Sequence, residues 1–294
     1  MTWRYALILD PLAADADRTD LAATIREVDA SAPALSIGEL STQRGDGIFE
    51  SIGVIDRHPQ EVEAHLARLA HSAELCDLPA PHPDQWRVAI ADAAAHCPPG
   101  ECVIRLVVSR GVDVGPAPTA WLTAMQAGDF GDARTDGIRV ITLDRGYDIG
   151  AAARAPWLLL GAKTLSYAVN MAALREAHRR GADDVVFVSS DGYLLEGPTS
   201  TVLLRIDGVF VTPEPGAGIL HGTTQLSAFA WLTEQGYATE YRAVARGEIE
   251  RADAAWLLSS VRLAAPITAV DGTPIGTDAA LTDRLNAYLL SPRD

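Results

Sequence analysis

Lys163 is the one lysine in a chain of 294 residues whose lysines and arginines together number 24. Arginine serves wherever a fixed positive charge is enough, and a single position keeps an ε-amine. An ammonium can lose its proton and become a nucleophile, whereas a guanidinium effectively cannot. A solitary lysine is therefore a candidate for covalent chemistry, above all a Schiff base with a carbonyl. The competing reading is a chance survivor in a chain of biased composition. The setting, Trp157-Leu-Leu-Leu-Gly-Ala-Lys163-Thr-Leu-Ser-Tyr-Ala-Val-Asn170, favours chemistry because nearly every neighbour is apolar or small. Surroundings of low polarity disfavour the ammonium and prepare the amine for attack on an aldehyde.

Other residues have types suited to an anionic ligand. Arg68 lies in His65-Leu-Ala-Arg68-Leu-Ala-His71-Ser72-Ala, on a stretch with helical apolar spacing. Its planar guanidinium can offer two parallel donors to an anion, although a lone helix arginine is more often solvated. The run Gly218-Ile-Leu-His-Gly-Thr223-Thr224-Gln225 puts a glycine and two threonines at the start of a helix. Free backbone N–H groups and hydroxyls there suit an anion as well as an ordinary cap. Glu196, in Leu195-Glu196-Gly-Pro-Thr-Ser200-Thr201, follows Lys163 by 33 residues.

The elements that must position these residues are mixed. Residues 47–56 and 101–109 read as strands, Pro59 as a helix start, and 61–78 and 84–96 as helices. Gly111–Pro118 is the best linker in the chain. Beyond it, 137–144, 184–189, 193–195, 201–206, 209–212, 254–259 and 266–270 read as strands. Asp191-Gly192, Asp207-Gly208 and Asp271-Gly272 read as their turns. Leu165–Arg180 and Gly222–Gln235 read as helices, and a further helix closes the chain. The pattern predicts two α+β domains with a cleft between them, residues 1–115 and 116–294.

Composition sets bounds. A formal net charge of −15 argues against a nucleic-acid partner. Cys76, Cys97 and Cys102 form no CxxC pair, which suits thiols in a reducing compartment, although a bridge across the Pro-Pro-Gly between Cys97 and Cys102 is conceivable. No basic region with a long apolar core opens the chain, and no apolar run is long enough for a membrane span. A cytoplasmic enzyme without metal, acting on a small molecule, is expected.

Taken together, Ser41-Thr42-Gln-Arg-Gly45-Asp46-Gly47-Ile-Phe-Glu50, the Arg68 segment, Lys163 with Glu196, and Gly218–Gln225 resemble the class IV aminotransferases, the pyridoxal-phosphate enzymes of fold type IV. The resemblance covers roughly residues 40–275. It implies a small N-terminal α/β domain, a larger C-terminal pseudo-barrel domain carrying the lysine, an active site between the domains, and a homodimer. It implies pyridoxal 5'-phosphate on Lys163, with Arg68, Thr223 and Thr224 at the phosphate and Glu196 at the pyridinium nitrogen. Tyr167 would stand at the phenolic oxygen, Ser200 and Thr201 beside Glu196, and Ser260 and Val261 in the last phosphate-side loop. Thr201 stands where the family usually has asparagine, and Gln225 where arginine is common.

Within the family, Thr42 is the residue typical of aminodeoxychorismate lyases, where D-amino-acid aminotransferases carry tyrosine. The Arg-x-His carboxylate trap of the latter is missing after Arg110, and Ser109-Arg110-Gly111 is similar to the lyase segment. The resemblance therefore implies 4-amino-4-deoxychorismate lyase, with Thr42 assisting catalysis and Arg105 or Arg110 meeting the substrate carboxylates. The alternative is a D-amino-acid or branched-chain aminotransferase, which would use the same Lys163, Glu196 and Arg68.

Overall fold

The computed structural model describes residues 3–113, 115 and 117–294, so Val114 and Pro116 of the expected linker lie outside the described residues. The chain divides into two compact units: residues 1–128 with 162–167 and 292–294, and residues 129–161 with 168–291.

The first unit is built on β1 (Arg4–Leu9), β2 (Ile25–Glu27), β3 (Gly47–Ile55), β4 (His58–Pro59), β5 (Glu101–Ser109) and β6 (Thr119–Gln126). They form a six-stranded sheet in the order β2-β1-β6-β5-β3-β4, antiparallel throughout. Its helices are the short α1 (Leu40–Gln43), α2 (Val62–Leu75) and α3 (Pro83–His96). α2 lies against β3, and α3 against β1 and β6. α2 buries His65, Leu66, Leu69, Ser72 and Ala73, one stripe at helical spacing. Two polar residues on that stripe already mark it as more than a packing surface.

Sequence expectation and structure part in four places here. Pro59 does not start a helix: it pairs with Val54 at the sheet edge, and α2 begins only after Glu61, whose φ of 54° is left-handed. Proline tolerates that position because an edge strand can spare its N–H. The stretch 111–118 does not end a unit, because the chain runs on into β6, which pairs with both β5 and β1. Lys163 groups with the first unit rather than with the longer one. Leu165–Tyr167 are not helical: the Leu165 N–H donates to Gly47 O at 2.8 Å, and Thr164 bridges Ile48.

The second unit contains α4 (Gly131–Thr135), β7 (Ile138–Asp144), α5 (Ala151–Arg154), α6 (Ala168–Arg179), β8 (Asp184–Val188), β9 (Thr201–Ile206) and β10 (Val209–Pro213). It continues with α7 (Thr223–Glu234), β11 (Thr239–Arg242), β12 (Ala254–Ser259), β13 (Leu263–Val270), β14 (Thr273–Pro274) and α8 (Ala279–Leu289). The eight strands form one sheet, β11-β10-β9-β12-β13-β7-β8, with β14 on β13. Its central strands are buried on both faces. In β12, Ala255 and Leu257 enter one core with Val202, Leu204 and Ile267; Ala254, Trp256 and Leu258 enter another with Leu203, Phe229 and Leu285. A period of two with apolar residues at both phases explains why these strands read as continuous apolar runs. Tyr193 and Leu194 make isolated bridges only, so the expected strand 193–195 is not formed.

All three cysteines are free and buried. No helix among the described residues is long and apolar enough to cross a membrane.

Candidate active site

In the first unit, the aromatic face of Phe49 organises the lysine. Phe49 is buried on β3, and Lys163 Nζ stands 4.5 Å from its ring centroid. The Tyr167 ring meets Phe49 edge-on at 5.3 Å, and Lys163 Nζ lies 6.0 Å from the Tyr167 ring. From β5, the exposed Arg105 puts its guanidinium carbon 5.5 Å from the same Phe49 ring. Lys163 and Arg105 thus approach one and the same aromatic ring. The backbone of Lys163 is pinned twice: its N–H donates to the buried Ser72 Oγ at 3.1 Å, and its carbonyl accepts from Phe49 N–H at 3.0 Å.

Arg68 projects from α2 onto a carboxylate that sequence reasoning left without a role. Its Nε donates to Glu50 Oε1 at 2.8 Å and its Nη2 to Glu50 Oε2 at 2.7 Å. His65 Nδ1 lies 2.7 Å from Glu50 Oε2; since an ionised carboxylate only accepts, that nitrogen carries the proton. Burial alone would raise the Glu50 carboxyl, but the Arg68 guanidinium and the bonds from Arg68 and His65 hold it well below the usual range. Burial pushes the His65 imidazole down, against the pull of Glu50. The Phe49-Glu50 pair inside an apolar strand was the available signal, because an unpaired glutamate is not tolerated there.

The other first-unit candidates separate. Arg110 gives Nε to Asp46 Oδ2 at 2.8 Å, Nη2 to Cys76 O at 2.7 Å and Nη1 to Asp77 O at 3.1 Å. It is a brace between two chain segments, and those bonds would have to break before it met a substrate. Thr42 is exposed on α1, its hydroxyl donating to Glu39 O at 2.7 Å. Glu39, buried beneath, accepts from the Ser109 hydroxyl and so ties α1 to the end of β5.

In the second unit, Glu196 Oε2 accepts the Leu220 N–H at 3.1 Å. Around it stand residues the sequence reading did not assign. Arg145 packs 4.6 Å from the Phe187 ring centroid and donates Nη2 to Asn170 Oδ1 at 3.2 Å; Asn170 Nδ2 in turn donates to Pro198 O at 2.6 Å. Burial raises the Tyr147 phenol; Arg145 opposes that and Glu196 adds to it, so all three share one neighbourhood.

At the start of α7 three hydroxyls converge. Ser260 Oγ lies 3.3 Å from Thr223 Oγ1 and 3.4 Å from Thr224 Oγ1. The N-cap is Gly222, which offers no side-chain cap to the first turn. A Cβ on Gly222 would overlap Thr201 Oγ1, so glycine keeps the turn open. Ser200 Oγ is buried with no hydrogen-bond partner among the described residues. A helix start without a side-chain cap, clustered hydroxyls and an orphaned buried hydroxyl fit a phosphate-bearing ligand. Gln225 is buried and gives Nε2 to Tyr241 OH at 2.8 Å, a neutral partner where an arginine would need a counter-ion. Val261 contributes backbone, its carbonyl accepting from Arg134 Nη2 at 2.9 Å.

A fold of this kind with these residues defines a pyridoxal-phosphate enzyme of fold type IV. The model of the amino-transferase class IV family matches residues 47–270, and the chain belongs to that family. Among curated relatives, it is 43% identical to the bifunctional aminodeoxychorismate lyase / D-amino acid transaminase of Mycobacterium tuberculosis, over 89% of this chain and 95% of that one. Among solved structures, a fold IV transaminase from Curtobacterium pusillum is 49% identical with a TM-score of 0.93, covering 98% of this chain and 99% of that one. A hypothetical aminotransferase from Mycobacterium tuberculosis in its PLP-bound form is 38% identical with a TM-score of 0.87, over 97% of both chains.

Proposed function

We propose that the chain is a 4-amino-4-deoxychorismate lyase, giving 4-aminobenzoate and pyruvate, with transamination of D-amino acids as a second activity. The observation that carries this reading is the identity with a bifunctional lyase and transaminase along almost the whole of that enzyme. Thr42, and the absence of an Arg-x-His carboxylate trap after Arg110, support the lyase as the principal activity.

In this reading Lys163 is the covalent attachment point of the cofactor. Arg68, Thr223, Thr224 and Ser260 hold its phosphate, together with the backbone at Val261. Tyr167 meets the phenolic oxygen, and Ser200 and Thr201 line the ring beside Glu196. When bound, the pyridine ring accepts the electron pair left by a departing substrate proton. Glu196 keeps a proton on the ring nitrogen, which strengthens that acceptance. The Lys163 amine, held against Phe49, takes the proton from ring C4 of the substrate. Thr42 delivers a proton to the departing enolpyruvyl group, directly or through water, and the remaining ring becomes aromatic. Arg105, exposed beside Phe49, meets a substrate carboxylate. A homodimer and a cytoplasmic location belong to the same reading.

Purified protein with pyridoxal phosphate should convert aminodeoxychorismate to equal amounts of 4-aminobenzoate and pyruvate. D-alanine with 2-oxoglutarate, assayed in parallel, tests the second activity. Turnover of D-alanine with no 4-aminobenzoate formed would leave a transaminase and overturn the lyase.

A further inference from the structure

Ser260 sits in a tight connection, Ser259–Arg262, between β12 and β13. Within that connection the Arg262 N–H donates to Ser259 Oγ at 3.3 Å. The connection ends on Leu263, whose φ of 65° is a left-handed conformation that a side chain adopts only under constraint. Two hydrogen bonds reach the connection from α4, far away in sequence. Arg134 Nε donates to Arg262 O at 2.9 Å, and Arg134 Nη2 donates to Val261 O at 2.9 Å. A planar guanidinium can reach two adjacent carbonyls with fixed spacing, and an ammonium cannot match both. On the side-chain side, Arg262 Nη2 lies 2.7 Å from the buried Asp184 Oδ2, a close ion pair without the alignment of a hydrogen bond.

We propose that Arg134 is a positioning residue for cofactor phosphate recognition: by clamping the Val261 and Arg262 carbonyls it holds Ser260 Oγ in register with Thr223 and Thr224 at the start of α7. It acts through the turn and does not touch the ligand. The proposal rests on the assignment of those three hydroxyls to the phosphate. Its consequence is specific: loss of Arg134 costs recognition of the phosphate and leaves recognition of the rest of the cofactor intact.

The test compares pyridoxal phosphate with pyridoxal, which lacks the phosphate, titrated into the full-length protein freed of cofactor. Arg134→Leu, Arg134→Lys and Thr223→Val are measured beside the parent, with thermal unfolding of each. Arg134→Leu should weaken pyridoxal phosphate about tenfold, the scale of two lost hydrogen bonds, and leave pyridoxal unchanged. Arg134→Lys should fall between Leu and the parent, and carries the same comparison if Arg134→Leu does not fold. If Thr223→Val loses phosphate preference while the Arg134 variants keep it or weaken both ligands equally, the positioning role is overturned and the phosphate site stands. If Thr223→Val also keeps its preference, the phosphate assignment falls and the positioning role with it.

Discussion

Arg68 and Glu50 face each other in a two-point pair, Nε to Oε1 at 2.8 Å and Nη2 to Oε2 at 2.7 Å, with the carboxylate fully buried. The pair fixes the plane of the guanidinium before any ligand arrives, and His65 Nδ1 holds the same carboxylate oxygen, Oε2, that accepts Arg68 Nη2. A flexible arginine would spend binding energy on being ordered.

Glu50→Gln keeps the shape of this arrangement and removes its charge, leaving a largely buried guanidinium without its counter-ion. Breaking a buried pair in this way should destabilise the protein by about 3 kcal/mol in urea unfolding. Affinity for pyridoxal phosphate should fall about tenfold or more, because Arg68 loses its fixed orientation. Unchanged affinity would show that Glu50 serves the fold alone.

Both titrating members of this cluster predict a loss of stability in acid. The His65 pKa is lowered in the folded protein, so below the unperturbed value of about 6.5 the unfolded chain binds the extra proton first. The Glu50 pKa is also lowered, so its contribution is full above the ordinary glutamate value of about 4.3 and drains away as pH falls below it. Urea midpoints should therefore drop in two stages on acidification. His65→Asn, which keeps a donor for Glu50 and cannot titrate, should lose the first stage and keep the second.

Lys163→Ala should abolish the absorbance band at roughly 400–430 nm that marks cofactor attached to a lysine. With no other lysine in the chain, no second amine of that type can replace it. Lys163→Arg should lose the band as well, since it puts a fixed charge beside Phe49 in place of the nucleophile. A band persisting in either variant would refute covalent attachment at this residue.

How much of this was legible beforehand depends on where each partner lies in sequence. Lys163 stood out by residue type, Arg68, Thr223 and Thr224 were proposed from the motifs that resemble the family, and β5 and β12 have the bounds their apolar runs predicted. Glu50 was visible in its motif and unassigned, because its value comes from His65 and Arg68 on another element. Arg134 carried no local signal at all: its targets lie more than a hundred residues on. The start of α6 was misjudged for a related reason. Helical periodicity runs back to Leu165, and long-range contacts, its own bond to Gly47 O and the Thr164 bridge to Ile48, pull that segment out of the helix. Local pattern records propensity, and tertiary hydrogen bonds override it.

Arg105 and Arg110 were interchangeable on paper and are not in the structure. Arg105→Leu should raise KM for the carboxylate-bearing substrate about tenfold with a smaller change in kcat, the signature of lost binding common to ground and transition states. Arg110→Leu should leave KM unaltered and lower stability by about 1 kcal/mol, since its donors serve Asp46, Cys76 and Asp77. The reverse pattern would return the carboxylate to Arg110.

Gly222→Ala tests whether the opening at α7 is kept for a ligand. The backbone there is extended, with a φ of −70° and ψ of 127°, so alanine meets no conformational penalty and the whole effect is one of space. The new methyl would overlap Thr201 Oγ1 and sit 3.3 Å from Thr201 Cβ, so either Thr201 or the first turn of α7 must move. Overpacking of this kind costs about 1–3 kcal/mol. If the turn moves, Thr223 and Thr224 leave Ser260, and pyridoxal phosphate should bind about tenfold or more weakly while pyridoxal is spared. Removing the obstructing hydroxyl in Gly222→Ala/Thr201→Ala should recover much of that loss, and the double-mutant cycle should show a coupling well above the additivity of distant sites. A double variant no better than Gly222→Ala would mean that the methyl excludes the ligand directly, and that the phosphate lies against Gly222 itself.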